Sequence, residues 1–186
     1  MIIDSHCHLN YEPMSLSLKE IIDRANKDGV KYLLTISTED KSYDKILSII
    51  SKNECVYGSY GIHPHEAKNH QSIKSEDIIK KTELNNKIIG IGESGLDFYY
   101  NHSDKKDQIK CFEEHIIAAQ NTQLPIIVHT RNAEQETYEI LKKKLLEIMS
   151  KILSKLLSSV EIVSRYFTPS LFALSIVSFS DKDIGS

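Results

Sequence analysis

This sequence of 186 residues has no excess of basic charge, no paired cysteines and no long apolar run, and each absence removes a class of function. Lysine and arginine number 23 against 26 aspartates and glutamates, a formal net charge of −3. No general cationic surface is therefore available to hold long nucleic acid by counterion release. A polyphosphate substrate has to be met by something other than bulk charge, and bound metal is the evident candidate. Cys7, Cys55 and Cys111 are odd in number, widely spaced and never arranged as CxxC, so neither a disulfide framework nor a thiolate zinc site is suggested and three reduced thiols are expected. The opening MIIDSHCHLN has no basic or apolar leader region, and no stretch approaches the roughly 18 apolar residues of a membrane-spanning helix. The expectation is a cytoplasmic enzyme with no membrane partner. With 40% hydrophobic residues the chain can bury a real core, and one domain is the default. The composition sets no oligomeric state.

Short β-branched runs alternate with longer segments of helical period, the signature of βαβ units around a parallel sheet. Strands are predicted at about 1–6, 31–37, 56–62, 88–92 and 125–129, with helices at about 16–27, 41–52, 75–86 and 104–122. The last helix follows Ser103, a plausible N-cap, and carries Ile109, Phe112, Ile116, Ala119 and Gln120 near one face.

From about Leu145 the texture changes. Apolar residues at 141, 145, 148, 149, 152, 153, 156 and 157 form a helical stripe. The remainder is rich in serine and has no glycine until Gly185, so the turn chemistry of the earlier part disappears. LFALSIVSF at 171–179 reads as a possible strand. This shift divides the chain into residues 1–144 and a tail of 145–186.

The residues that carry chemistry stand at predicted strand ends. His6 and His8 are two apart, and the period of a strand sends both imidazoles to the same face. An HxH alone is a weak signal, since strand-end histidines are often ordinary polar residues. Two further strands end in Gly90-Ile-Gly-Glu93-Ser-Gly-Leu-Asp97 and in Pro125-Ile-Ile-Val-His129-Thr-Arg131. In a parallel barrel all carboxyl ends face one mouth, which brings His6, His8, Glu93 and His129 to one pocket. Nitrogen and carboxylate donors suit zinc, manganese or a related divalent ion, and a carboxylate can bridge two of them. Arg131 is placed to clamp a phosphate oxygen or to lie on the surface, Tyr99 and Tyr100 to stack on a base or to cover the rim of the core, and Lys142 to Lys144 to form a solvated helix face.

SHCHLN, YGIHPH, GESGLDFYY and LPIIVHTRNAEQET stand in the order and near the spacing of the TatD deoxyribonucleases of the metal-dependent hydrolase superfamily, and over about residues 1–144 the chain resembles that family. The resemblance implies an α/β fold of the TIM type, a (β/α)8 barrel with one or two divalent cations (Zn, Mn or Mg), that hydrolyses phosphodiester bonds of DNA, often from the 3′ end. It implies His6, His8 and His129 as ligands, Glu93 as the bridging catalytic carboxylate, and His63 of GIHPH near substrate phosphate. On the family's chemistry the metal activates a water for attack on phosphorus and neutralises charge on the phosphate oxygens.

The family pattern also holds a histidine after the sixth strand, commonly in an HCF context, and an aspartate after the eighth, commonly in an ETD context. Neither motif occurs here, and no histidine follows His129. A barrel of this type takes about 250 residues, so the expectation is a partial TIM-type (β/α) barrel of about five family strands with an atypical helical, serine-rich C-terminal tail, from a truncated or frame-shifted gene. Two other readings stand beside a TatD-like hydrolase. One is another HxH barrel hydrolase, a phosphoesterase or an amidohydrolase, although cyclic-amide hydrolases usually place a modified lysine where this sequence has Glu93. The other is a non-catalytic fragment that binds metal.

Overall fold

A computed structural model describes residues 1–158, with side chains through residue 152. Five strands, β1 (Ile2–Cys7), β2 (Val30–Thr35), β3 (Val56–Tyr60), β4 (Ile88–Asp97) and β5 (Ile126–Arg131), form one sheet in the order β1-β2-β3-β4-β5. Every neighbouring pair is parallel. The helices α1 (Leu18–Lys27), α2 (Tyr43–Lys52), α3 (Ser75–Thr82), α4 (Lys105–Thr122) and α5 (Glu134–Ser158) follow the strands in turn. This is α/β architecture curled into a half-barrel, as the alternation of periods requires.

The expected elements are present, and their ends shift for physical reasons. Two predicted helices open as 3₁₀ turns, Met14–Ser17 and Asp40–Ser42, before α1 and α2 begin. β4 runs five residues beyond its expected end, because the GESGLD segment pairs with β5 instead of turning away. Two glycines make this pairing possible. Gly92 has φ +135, and a Cβ on Gly95 would lie 2.0 Å from the His129 carbonyl oxygen, so side chains there would push β4 and β5 apart.

The main core packs α2 and α3 against the sheet through Ile46, Ile49, Ile50 and Ile78, meeting Leu33, Val56, Ile88 and Ile91. A second cluster joins Phe112 and Ile116 of α4 to Leu96, Ile126 and Val128. The buried face of α4 also includes the polar Gln108 and His115. His115 is accommodated because its Nδ1 donates to the Cys111 carbonyl at 2.7 Å while its Nε2 accepts the Ile62 N–H at 3.1 Å. The expected Ser103 cap of α4 is not formed. Asp104 occupies the N-cap position, and the Ser103 hydroxyl instead donates to the His65 carbonyl and accepts the Lys68 N–H.

α5 continues unbroken across residue 145, where the composition changes. The possible strand at 171–179 lies outside the described residues. The three cysteines are free thiols, and burial pushes Cys7 and Cys111 up to about 12, the behaviour of inert core residues. Among the described residues no helix is long and apolar enough to cross a membrane.

Candidate metal centre

The carboxyl ends of the strands surround an open cleft of about 680 Å³ lined by His6, His8, His63, Glu93, His129 and Arg131, among others. All six site residues expected from sequence therefore meet in one place. Alternation along β1 sends His6 and His8 to the cleft, with ring centroids 5.1 Å apart, while Cys7 between them turns away and donates its thiol to the Leu34 carbonyl. His8 Nδ1 lies 3.1 Å from the Ile36 carbonyl, which can only accept, so the ring proton sits there and Nε2 keeps its lone pair.

Glu93 is the centre of the arrangement. Its backbone N–H donates to the Ser37 carbonyl at 2.8 Å, which ties this part of β4 to the segment that follows β2. Its Oε2 lies 3.5 Å from His6 Nε2 and its Oε1 lies 3.0 Å from His129 Nδ1. Burial alone raises a carboxyl pKa. Here the hydrogen bonds from His129 and His6 outweigh burial and hold Glu93 well below the usual carboxylate range.

Two donor groups share this carboxylate: His6, His8 and Glu93 form one, and His63, Glu93 and His129 the other, each with ligand atoms within 4.8 Å of one another. A divalent ion held by bonds of about 2.1 Å in tetrahedral or octahedral geometry separates adjacent donors by roughly 3.0–3.4 Å. The observed spacings of 3.0 and 3.5 Å around Glu93 match that edge. The donor set is thus of the right type and spacing for a cation.

His63 differs from the other rings. Its Nδ1 accepts the His65 backbone N–H at 3.2 Å, so a neutral His63 must carry its proton on Nε2. Burial, followed by the neighbouring His129, lowers its pKa to about 3, so it is neutral near pH 7. Its Nε2, 3.3 Å from His129 Nδ1, therefore faces the cleft as a hydrogen-bond donor and not as a lone pair for metal.

Arg131 stands at the rim with its guanidinium 4.9 Å from the Tyr100 ring centre and 4.0 Å from Asp97 Oδ2. Tyr100 also stacks on His102 at an interplanar angle of 16°. Sequence reasoning passed over His65 and Asp97, which stand in this network 2.8 Å apart. The signal was present for Asp97. It lies four residues after Glu93 on the same strand, in a motif already singled out.

The sequence profile of the TatD related DNase family matches residues 3–182. A metal-dependent hydrolase from Buchnera aphidicola subsp. Baizongia pistaciae is 38% identical over 77% of this chain and 54% of its own length. Deoxyribonuclease Tat-D of Schizosaccharomyces pombe is 31% identical over 70% of this chain and 45% of its own. Among solved structures, YjjV, a TatD homologue from Escherichia coli K12, superposes with a TM-score of 0.70 at 26% identity, covering 76% of this chain and 55% of that one. The chain spans about half the length of the curated relatives it matches. A half-barrel with imidazole and carboxylate donors converging in one cleft and a profile match over most of the sequence lead to one assignment: the chain belongs to the TatD family of metal-dependent hydrolases.

Proposed function

We propose that this cleft binds one or two divalent cations, zinc, manganese or magnesium, and serves the hydrolysis of phosphodiester bonds in DNA. The observation that carries the reading is the convergence of His6, His8 and His129 on the two oxygens of Glu93. The relative named as a deoxyribonuclease supports the choice of substrate.

His6, His8 and His129 are the nitrogen ligands, and Glu93 is the carboxylate able to bridge two ions. The ion supplies Lewis acidity and a lowered pKa for bound water. His63, neutral and donating from Nε2, and Arg131 at the rim then face the phosphate oxygens, where a guanidinium can form paired charge-assisted bonds. The Arg131 guanidinium thereby brings local positive charge to the cleft of a chain whose overall charge is −3.

The polypeptide of 186 residues contains neither an HCF nor an ETD motif. Its turnover is therefore expected to lie at least about a hundredfold below that of a relative carrying both, on the scale of losing one preorganised catalytic contact. The test is release of nucleotides from 3′-labelled single-stranded DNA with manganese or magnesium, run at several protein concentrations. Slow release that a chelator stops and that Glu93→Gln abolishes is expected. Release that survives either treatment, or none at all by the metal-loaded chain after long incubation, would sink the proposal.

A further inference from the structure

Asp97 is fully buried, with 0% exposure, yet no candidate ligand set among the described residues includes it. Both of its carboxylate oxygens are committed. Oδ1 accepts the backbone N–H groups of Tyr99 at 3.1 Å and Tyr100 at 3.0 Å, closing the turn at the rim. Oδ2 lies 2.8 Å from His65 Nε2, 3.3 Å from His129 Nε2 and 4.0 Å from the Arg131 guanidinium. The backbone of the same residue is fastened to α4: its N–H donates to Gln108 Oε1 at 2.8 Å and its carbonyl accepts Gln108 Nε2 at 3.0 Å. Gln108 is itself buried and also donates to the Ser103 carbonyl.

A carboxylate only accepts hydrogen bonds. Both ring nitrogens of His129 face a carboxylate, Glu93 Oε1 at Nδ1 and Asp97 Oδ2 at Nε2; with a cation on the Nδ1 lone pair beside Glu93, Asp97 is the acceptor that holds the ring proton on Nε2. Outer carboxylates of this kind set both the tautomer and the ring orientation of a ligand histidine. We propose that Asp97 is a positioning residue of the metal centre, which fixes His129 as the Nε2–H tautomer and joins that ligand, through one carboxylate, to His65 and the Tyr99–Tyr100 turn. This rests on the metal-binding reading above.

Asp97→Asn keeps the shape of the side chain, but its amide NH₂ must face either the two imidazoles or the two backbone N–H groups. One set of bonds is lost in either orientation. Zinc is the probe, with its affinity read by competition against a chelating dye. Asp97→Asn is expected to bind zinc about 10–100-fold more weakly than the wild type, and Asp97→Glu to recover part of that loss if the carboxylate is what matters. Equal affinity in wild type and Asp97→Asn would overturn the proposal.

The second measurement needs no variant and is independent of whether Asp97→Asn folds. Long-range ¹H–¹⁵N spectra of the zinc-loaded wild type, ¹⁵N-labelled at histidine, are expected to show the proton of His129 on Nε2; a proton on Nδ1 would overturn the assignment. A wild-type chain that takes up no zinc sinks the metal-binding reading and this inference with it. Wild-type binding that Asp97→Asn leaves unchanged sinks the inference alone.

Discussion

His115 shows how much a single buried polar group can determine. It lies on the core face of α4 with both ring nitrogens engaged, one donating to Cys111 and one accepting from Ile62, the residue just before His63. Burial lowers its pKa from 6.5 to about 4. The folded state therefore favours the neutral ring, and the stabilisation is fully present above pH 6.5 and lost as the pH falls towards 4. A shift of this size corresponds to about 3 kcal/mol. Urea unfolding of the metal-free chain between pH 7 and 4 is expected to show this loss, and His115→Gln to show a pH dependence shallower by about that amount. The comparison is needed because His63, also lowered by burial, contributes to the same fall. Parallel curves for the two proteins would show that His115 does not stay neutral in the fold.

At the scale of elements, the pairing of β4 with β5 brings Glu93 and His129 together. The register steps from Ile91↔Ile126 to Ser94↔Val128, and Gly95 lies opposite His129. Gly95→Ala puts a methyl group into the His129 carbonyl at a φ of +153. Overpacking and backbone strain together predict a loss of about 2–4 kcal/mol, with metal-dependent stabilisation lost as the His129 backbone is displaced. Gly29 is the control, because its φ is +92 but nothing lies within 4 Å of the added carbon. Gly29→Ala should cost only the backbone term, on the order of 1 kcal/mol, and leave metal binding intact. Denaturant midpoints with and without zinc measure both effects, and a Gly95→Ala protein that retains its zinc response would separate the pairing from the site.

For the whole molecule, a ligand that binds only the folded state stabilises it by mass action. Zinc or manganese at a hundredfold excess over its dissociation constant adds about 2.7 kcal/mol. In a chain of this size that raises the melting temperature by about 5–11 °C. The double variant His6→Ala, His8→Ala should lose the rise, and a double variant that keeps it would show that the ion is held elsewhere. β1 and β5 are the outer strands of the sheet among the described residues, and Ile2 and Ile3 of β1 are each 55% exposed. Melting should accordingly be followed at several protein concentrations, so that association through an open strand edge is not read as metal binding.

The sequence by itself determined the alternation of strand and helix, and with it the parallel sheet whose carboxyl-end face gathers His6, His8, Glu93 and His129, because periods of two and of 3.6 are local properties of the chain. It also marked His63 and Arg131, which lie in the same cleft. The tertiary structure decided what depends on partners distant in the chain. Extension of β4 past Glu93 needs β5 beside it and glycine where the strands nearly touch. Ser103 leaves the cap of α4 because the His65 carbonyl and the Lys68 N–H lie within its reach. The proton of a neutral His63 sits on Nε2 because the His65 N–H occupies its other nitrogen. Asp97 becomes the hub of the site only when folding brings His65, His129 and Arg131 to one carboxylate. Local pattern sets which way a side chain faces, but a tautomer or a cap is set by the atom that folding places opposite it.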